Sequence, residues 1–345
     1  MQERPHGFRY ELAGDDAAGY NLLVSERREQ RMQCMEVWGG SQLTARTVAF
    51  GGLDVWIYSK PHGDAQHGGD VYYASSCATG RIARLLLADV AGHGSSVAST
   101  AADLRTLMRR FVNRLDQSEF VRLLNQQFTE LSRDGAFATA VVVTFFEPSR
   151  RMMVCNAGHP RPLLYRAASR RWDFLGRPDS EHAGASARGG PSNLPLGLLE
   201  LSEYDHFDIE LEPDDRILTY TDALMESNDP SGEMLGETGV LRILRLLGDL
   251  DPQDLIEKLL AEIAERYPQN LTDDDVTVLV LRANGRKLGY TLGEKFGALR
   301  RFARSLMGAL NPKAERPPFP DLNLANLGGA IIPALGKRWR AKSGN

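Results

Sequence analysis

Short apolar segments rich in Val, Ile, Leu, Tyr and Phe recur along the chain, and they constrain its fold more than any other feature. Gly, Pro or Asn bounds these segments, which is the pattern of β-strands. We predict strands at residues 53–58, 71–75, 81–89, 137–146, 152–156, 163–166, 206–211, 216–221 and 276–282. Sheet therefore dominates the chain.

Helical periodicity interrupts this series of strands. Apolar residues recur at intervals of three and four over residues 95–111 and 118–131, which predicts two helices with one apolar face each. Further helices are predicted near residues 240–247 and 252–266, the last with Asp251 and Pro252 as N-cap and first-turn residue. A short helix is predicted at residues 26–35. Helices with one apolar face are expected to lie on a sheet.

Charge divides the 345-residue chain into an acidic body and a basic tail. From residue 283 onward, 12 Lys or Arg stand against three Asp or Glu, a net charge of +9, whereas the preceding part carries −13. We predict an N-terminal extension at 1–44, a domain at 45–283 and a basic, partly helical or disordered tail at 284–345. Residues 294–310 form an amphipathic stretch, for which packing on the domain or a partner is favoured over contact with an anionic membrane.

Composition excludes several classes of protein. The overall net charge of −4 and a pI near 6.0 do not favour nucleic-acid binding. Three cysteines without CxxC spacing argue against a disulfide framework and a zinc site. A polar N-terminus and the lack of an apolar run of about 18 residues predict neither a signal peptide nor a transmembrane segment. A cytoplasmic protein is expected.

Two glycine-flanked acids give the most specific signal for a functional site. Asp70 in GGDVYY and Asp89 in LADVAGHG lie equally far from a turn-like Ala-Thr-Gly at residues 78–80. An antiparallel hairpin of that register would bring their β-carbons to about 4.5–5.5 Å. Two carboxylates so placed repel each other, and a shared cation would remove the repulsion.

Two more acids stand at strand ends. Asp222 ends the strand-like RILTYTD, and Asp274 lies in a run of three acids that leads into VTVLVL. Short acidic side chains at several strand ends suit Mg²⁺ or Mn²⁺. The competing interpretation is that each is an ordinary turn or cap residue. Asp275 leaves a one-residue ambiguity about the fourth ligand.

Four other polar residues are weaker candidates. His93 and His159 could contact substrate or metal, although exposed turn residues beside glycines are the simpler interpretation. Lys60 and Arg161 could meet a phosphate, but isolated basic residues are usually solvated. The polar stretch at residues 167–193 is interpreted as a mobile flap or surface loop.

Eight motifs occur in an order that resembles the SpoIIE-type PPM (type 2C) protein phosphatases. They are GGDVYY, LADVAGHG, FATAVVVTFF, CNAGHPRPLLY, LPLG, LEPDDRILTYTDALMES, GEMLGETG and DDDVTVLVLR. The resemblance covers roughly residues 45–283. It implies an α+β fold in which a β-sandwich is flanked by α-helices on both faces, in four αββα layers, with two Mn²⁺ or Mg²⁺ ions at one end. It also implies Asp70, Asp89, the Val90 backbone carbonyl, Asp222 and Asp274 as metal ligands.

Two positions depart from the pattern of that family. Tyr73 stands where GGDFYD has its second acid, and Ala223 replaces the glycine of YTDG. Neither substitution removes a proposed ligand. The phosphate-gripping arginine of eukaryotic relatives has no counterpart before Asp70, as is usual in this branch.

The resemblance also implies a function. It predicts a protein serine/threonine phosphatase in which water activated by two metals attacks the phosphorus atom, with His93 as a weak candidate for assistance. The expected substrate is a phosphorylated regulatory protein such as an anti-sigma factor antagonist, and a regulatory partner is expected at the N-terminal extension or the C-terminal tail. A non-catalytic phosphoprotein-binding module and a small-molecule phosphoesterase are the alternatives.

Overall fold

The structure, a computed structural model, describes residues 29–32, 37–76, 81–91, 95–111, 116–131, 136–176 and 192–286. Strands in these ranges are β1 (Glu29–Arg31), β2 (Val37–Gly40), β3 (Thr44–Phe50), β4 (Leu53–Lys60), β5 (Asp70–Ser76), β6 (Ile82–Val90), β7 (Ala138–Phe146), β8 (Arg151–Ala157), β9 (Leu163–Arg166), β10 (Arg171–Phe174), β11 (Phe207–Glu210), β12 (Arg216–Tyr220) and β13 (Val276–Ala283). The helices are α1 (Ser95–Phe111), α2 (Gln117–Leu131), α3 (Ala223–Glu226), α4 (Gly236–Leu247) and α5 (Pro252–Ala264).

The strands form two sheets that face each other. The seven-stranded sheet has the order β1-β3-β4-β13-β12-β9-β10, and the six-stranded sheet has the order β11-β8-β7-β6-β5-β2. The pairs are antiparallel except β1 with β3. Apolar side chains such as Val55 and Leu279 from the first sheet pack with Leu85 and Val141 from the second. This layer is the core of a sandwich.

Helices cover the outer face of each sheet. Leu104 of α1 and Leu124 of α2 pack against the six-stranded sheet, where residues such as Leu86 are fully buried. On the opposite side, Val240 of α4 and Leu259 of α5 pack against the seven-stranded sheet. The predicted αββα fold is confirmed. None of the helices in the described part of the chain combines the length and apolar character required to cross a bilayer.

Most predicted elements are confirmed, whereas the N-terminal region differs. The predicted helix at residues 26–35 is wrong at Glu29–Arg31, which forms β1 and pairs with β3 at a sheet edge. Strands β2 and β3 were not predicted, so the sheets begin before the predicted domain start at residue 45. Within the predicted flap at 167–193, Arg171–Phe174 forms β10 instead, because Trp172 packs into the core opposite Tyr165.

Other predictions lie outside the described residues. They concern His93, two of the three cysteines, most of the flap, the basic tail beyond residue 286 and its amphipathic stretch. Cys155 is described: it is buried and free, and burial raises the pKa of its thiol well above the usual range.

The predicted N-cap of α5 is confirmed and supports a test of local stability. The Asp251 side chain accepts a hydrogen bond from the Gln253 N–H, and Pro252 occupies the first turn. We expect Asp251→Ala to lower the free energy of unfolding by about 1 kcal/mol in a denaturant titration, because one N–H of the first turn loses its partner. Lys258→Ala, on an exposed position of the same helix, is the control and is expected to change it by less than about 0.5 kcal/mol. Equal effects of the two substitutions would contradict the capping role.

Candidate metal centre

The site begins with the pairing of two acids across neighbouring strands. Asp70 at the start of β5 lies directly opposite Asp89 near the end of β6, as the equal spacing from residues 78–80 predicted. On the next strand, Thr139 lies opposite Asp89. All three side chains share the face that packs against the seven-stranded sheet, because the residues two further along each strand belong to the core between the sheets.

Asp70 is held between the two sheets. Its side chain is only 3% exposed, and its Oδ2 accepts a 2.8 Å hydrogen bond from the Thr221 hydroxyl of the opposite sheet. Burial and then the neighbouring Asp89 raise the pKa of Asp70 well above its usual value, although hydrogen bonds from Thr277 and Thr221 act in the opposite direction. The folded chain therefore places a carboxylate where its charge is disfavoured.

Further acids surround this pair at the same end of the sandwich. Burial, followed by Asp222, Asp274, Asp275 and Glu226, raises the pKa of Asp89 to about 7. Burial, followed by Glu226 and Asp274, raises the pKa of Asp222 to about 6. The antiparallel pairing of β12 with β13 explains the convergence, since Asp222 follows one strand and Asp274 precedes the other at one edge of the sheet.

Glu226 was missed by the sequence analysis. It ends the short helix α3, its N–H donates to the Asp222 carbonyl, and its negative charge helps to raise the pKa of both Asp222 and Asp89. The signal that could have found it is its spacing of four residues from Asp222, which places both on one side of a helical turn.

The third acid of the run at 273–275 has a different role from the second. The Asp275 carboxylate accepts three backbone hydrogen bonds: Oδ1 from the His62 N–H at 2.6 Å, and Oδ2 from the Gly69 N–H at 2.5 Å and the Asp70 N–H at 3.3 Å. Asp274, by contrast, is exposed and accepts a bond from the Asp275 N–H. Asp275 thus fastens the turn that leads into Asp70.

This arrangement explains the two glycines before Asp70. A β-carbon on Gly68 would lie 2.4 Å from the Asp275 carboxylate, and one on Gly69 would lie 2.8 Å from the Val97 side chain and 3.1 Å from the Val90 carbonyl oxygen. Side chains at either position would push the Asp275 carboxylate or the Val90 backbone away from the turn. The same short distance from Gly69 shows that the Val90 carbonyl, one of the predicted ligands, lies beside the turn that carries Asp70.

Hydroxyl groups of the seven-stranded sheet form a set of hydrogen bonds that leads to Asp70. The Thr277 hydroxyl shares a 3.0 Å bond with Ser59, and the Thr277 N–H donates to the Thr221 hydroxyl, also at 3.0 Å. Because the Thr221 hydroxyl donates to Asp70, side chains of the opposite, seven-stranded sheet orient that carboxylate.

The structure describes three of the weaker candidates, Arg161, His159 and Lys60. The Arg161 side chain is 45% exposed, as expected of a surface residue, and its guanidinium also pairs with Glu237 at 2.5 Å and lies 3.8 Å from the centre of the Phe174 ring. His159 was interpreted as an exposed turn residue, and this is wrong: its side chain is buried and bonded to Thr139. Lys60 ends β4 at the same edge as the acids and is half-buried.

The donor set matches hard divalent cations. In the part of the chain that the structure describes, no three carboxylate, imidazole or thiol groups lie close enough to form a ready-made ligand set for one ion. Mg²⁺ is commonly bound through one or two carboxylates, with water completing its coordination. Paired acids at the end of the sandwich, with Asp222, Asp274 and the Val90 carbonyl around them, fit this kind of site.

The two facing sheets, the helical layer on each outer face and the acidic centre at one end are those of the PPM-type phosphatase fold. Residues 79–284 match the family model described as stage II sporulation protein E (SpoIIE). The chain belongs to the SpoIIE family.

One curated relative and two solved structures agree with this assignment. The chain is 26% identical over 202 residues to the phosphoserine phosphatase RsbP of Bacillus subtilis (strain 168), covering 57% of this chain and 45% of that protein. It therefore spans a little under half the length of this relative. Its fold is similar to the RsbU and RsbW domains of Rv1364c from Mycobacterium tuberculosis (TM-score 0.56, 21% identity, 78% of this chain and 75% of that one). It is also similar to the PP2C phosphatase domain of SpoIIE from Bacillus subtilis, solved with a fragment of the regulatory domain (TM-score 0.54, 16% identity, 73% and 64%).

Proposed function

We propose that this protein is a Mn²⁺- or Mg²⁺-dependent protein serine/threonine phosphatase that acts on a phosphorylated regulatory protein. The observation that carries the proposal is the pair formed by the buried Asp70 and the half-buried Asp89, which lie opposite each other with Asp222 and Asp274 beside them at one end of the sandwich. Membership of the SpoIIE family and the relative named a phosphoserine phosphatase support it.

Each of these residues has a place in the proposed reaction. Asp70, Asp89, Asp222, Asp274 and the Val90 carbonyl would hold a pair of divalent cations. When bound, such a pair activates a water molecule for attack on phosphorus and neutralises charge that develops on the phosphoryl oxygens.

The chain's own residues prepare this chemistry by fixing the oxygens before any substrate arrives. The backbone amides that bind Asp275 fix the turn that carries Asp70, and the Thr221 hydroxyl orients the Asp70 carboxylate. Asp274 is the better candidate for the fourth ligand, because both oxygens of Asp275 already accept backbone hydrogen bonds. His93 stays a weak candidate for proton transfer to the leaving oxygen.

A more specific proposal concerns the identity of the substrate. The resemblance of the motifs implies phosphoserine or phosphothreonine on a protein such as an anti-sigma factor antagonist. Residues 1–44 and the tail from 284 are the segments proposed to receive a regulatory partner.

A metal titration with phosphate release tests the catalytic proposal. We expect release from a phosphoserine peptide to require Mn²⁺ or Mg²⁺, and Asp89→Asn to lower turnover at saturating Mn²⁺ by at least about 100-fold, since partners of metal ligands alone contribute 10- to 100-fold. Asp173→Asn is the matched control, because Asp173 is a surface acid paired with Arg245 away from the centre, and it should leave turnover unchanged.

Three outcomes would contradict the proposal. Turnover that does not depend on a divalent cation, or an Asp89→Asn variant as active as the wild type, would remove the metal centre. Rapid hydrolysis of small phosphate esters without release from phosphoprotein would favour a metabolite phosphoesterase instead.

A further inference from the structure

A buried histidine lies directly behind the acidic centre and has no part in the proposed ligand set. His159 follows β8 in the Asn-Ala-Gly-His-Pro segment, and its side chain is 5% exposed. The Asn156 side chain clamps this turn by accepting a 2.8 Å bond from the His159 N–H and donating a 2.8 Å bond to the His159 carbonyl. The backbone therefore directs the ring into the protein instead of into solvent.

On one side, the ring contacts the sheet that carries Asp89. His159 Nδ1 shares a 2.8 Å hydrogen bond with the Thr139 hydroxyl. Thr139 lies directly opposite Asp89 in the pairing of β6 with β7, and side chains so paired have β-carbons about 4.5–5.5 Å apart. A shift of the ring would thus be transmitted to the residue beside the Asp89 carboxylate.

On the other side, the ring meets the strand that carries Asp222. The backbone of Tyr220 interacts with the imidazole, although Nε2 lacks a partner in full hydrogen-bond geometry. Tyr220 is the last residue of β12, followed by Thr221, which donates to Asp70, and by Asp222. His159 therefore spans the gap between the two sheets at the level of the carboxylates.

The ring contributes shape and hydrogen bonds here, and no positive charge. Burial lowers the pKa of His159 to about 3, so the imidazole is neutral near pH 7 and does not offset the negative charge of the acids. A buried nitrogen without a full partner also lowers the free energy of unfolding. Such a group calls for an explanation other than stability.

We propose that His159 is a positioning residue that, through Thr139 and the end of β12, sets the separation between Asp89 and Asp222 and thereby the affinity of the centre for divalent cations. This inference rests on the proposed function, because it assumes that those two acids bind metal. Groups that orient ligands in this indirect way typically contribute 10- to 100-fold to metal affinity.

Direct measurement of Mn²⁺ binding tests the inference without relying on activity. The free Mn²⁺ signal in electron paramagnetic resonance gives the dissociation constant for each variant of the full chain. We expect His159→Gln to raise the dissociation constant about 10- to 100-fold. His206→Gln is the matched control: its Nδ1 also bonds a hydroxyl at 2.8 Å, that of Ser118, but it lies outside the acidic centre, so it should bind Mn²⁺ as the wild type does.

Thr139 provides a second, milder pair of variants. Thr139→Val removes the hydroxyl at nearly constant volume and should weaken Mn²⁺ binding, whereas Thr139→Ser keeps the hydroxyl and should restore it. Since Thr139 acts through the hydrogen bond that His159→Gln also disrupts, the effects of His159→Gln and Thr139→Val should not add fully in the double variant. A residue needed only for folding would lower the melting temperature without this pattern of Mn²⁺ affinities.

The results separate the two proposals. Wild-type affinity for Mn²⁺ in folded His159→Gln and Thr139→Val, or full additivity of their effects, would overturn the role of His159 while leaving the metal centre intact. A wild-type chain that binds no Mn²⁺ would overturn the proposed function itself.

Discussion

Replacing Asp275 by alanine is expected to lower the free energy of unfolding of the metal-free protein by about 3–5 kcal/mol, a large part of the stability of a typical domain. The substitution leaves the N–H groups of His62, Gly69 and Asp70 without their acceptor, and those of Gly69 and Asp70 are buried. Each unsatisfied buried donor costs about 1–3 kcal/mol. Denaturant unfolding followed by circular dichroism in the presence of EDTA measures the change.

Asparagine at the same position should be nearly as harmful, although it has the same shape. In either orientation of the amide, the asparagine NH₂ group would face a backbone N–H. Two donors would then meet where a donor and an acceptor meet now. Removing the negative charge of Asp275 also relieves repulsion on Asp70, but burial and Asp89 raise the pKa of Asp70 more than Asp275 does. The lost hydrogen bonds should therefore outweigh the relief.

The neighbouring Asp274 provides the matched control. Because it is exposed and accepts its hydrogen bond from the adjacent Asp275 N–H, Asp274→Ala should change the free energy of unfolding in EDTA by less than about 1 kcal/mol. It should nevertheless weaken Mn²⁺ binding. If Asp274→Ala unfolds the protein and Asp275→Ala only weakens Mn²⁺ binding, the two roles have been assigned the wrong way round.

These two aspartates illustrate what the sequence could and could not indicate. The run of acids before an apolar strand predicted a ligand, but local pattern could not separate Asp274 from Asp275. The distinction depends on His62 and Gly69, which are more than 200 residues earlier in the chain. Hydrogen bonds between such distant segments exist only once the two sheets face each other.

Where local spacing determined the structure, prediction succeeded. The apolar period of residues 95–111 gives α1 at the predicted bounds, because one face of the helix is buried on a sheet. Asp70 and Asp89 pair as predicted because an antiparallel hairpin fixes the partner of each residue once its centre is known. The fold class followed from the resemblance of the motifs.

Where tertiary contacts override local preference, prediction failed. Glu29–Arg31 carries no strand pattern and becomes β1 only through its pairing with β3. His159 lies in a segment with every sign of an exposed turn, but the clamp by Asn156 and the bond to Thr139 draw it inside. Both misses arise from contacts with residues that the local sequence does not contain.

Substitution of Asp70 by asparagine is expected to change stability and function in opposite directions. The substituted side chain would keep an oxygen that can accept from Thr221 while removing a buried charge beside Asp89. In EDTA at pH 8, the variant should be more stable than the wild type by about 2 kcal/mol, which is a rise of roughly 4–8 °C in melting temperature for a domain of this size. Phosphate release with Mn²⁺ should fall at least about 100-fold.

The stability that Asp70→Asn gains over the wild type in EDTA should increase with pH. Acids whose pKa is raised by folding bind protons more tightly in the folded state, so the metal-free wild type loses stability as pH rises from about 4 through the raised values, about 6 for Asp222 and about 7 for Asp89. Asp70→Asn removes the carboxyl group whose pKa burial and Asp89 raise well above its usual value. Its advantage should therefore be small near pH 4.5 and largest near pH 8.

Added Mn²⁺ should reverse this order of stability. A cation that binds only the folded state stabilises the wild type in proportion to the logarithm of its concentration, by about 2.7 kcal/mol at one hundred times the dissociation constant, whereas Asp70→Asn gains little. The melting temperatures of the two proteins, measured at pH 8 across a Mn²⁺ titration, should therefore cross. If Asp70→Asn is instead less stable than the wild type in EDTA, then the hydrogen bonds from Thr221 and Thr277 stabilise the carboxylate by more than its burial and repulsion cost. In that case the acidic pair would be stable in the absence of a cation, and its charge would no longer support the proposed metal centre.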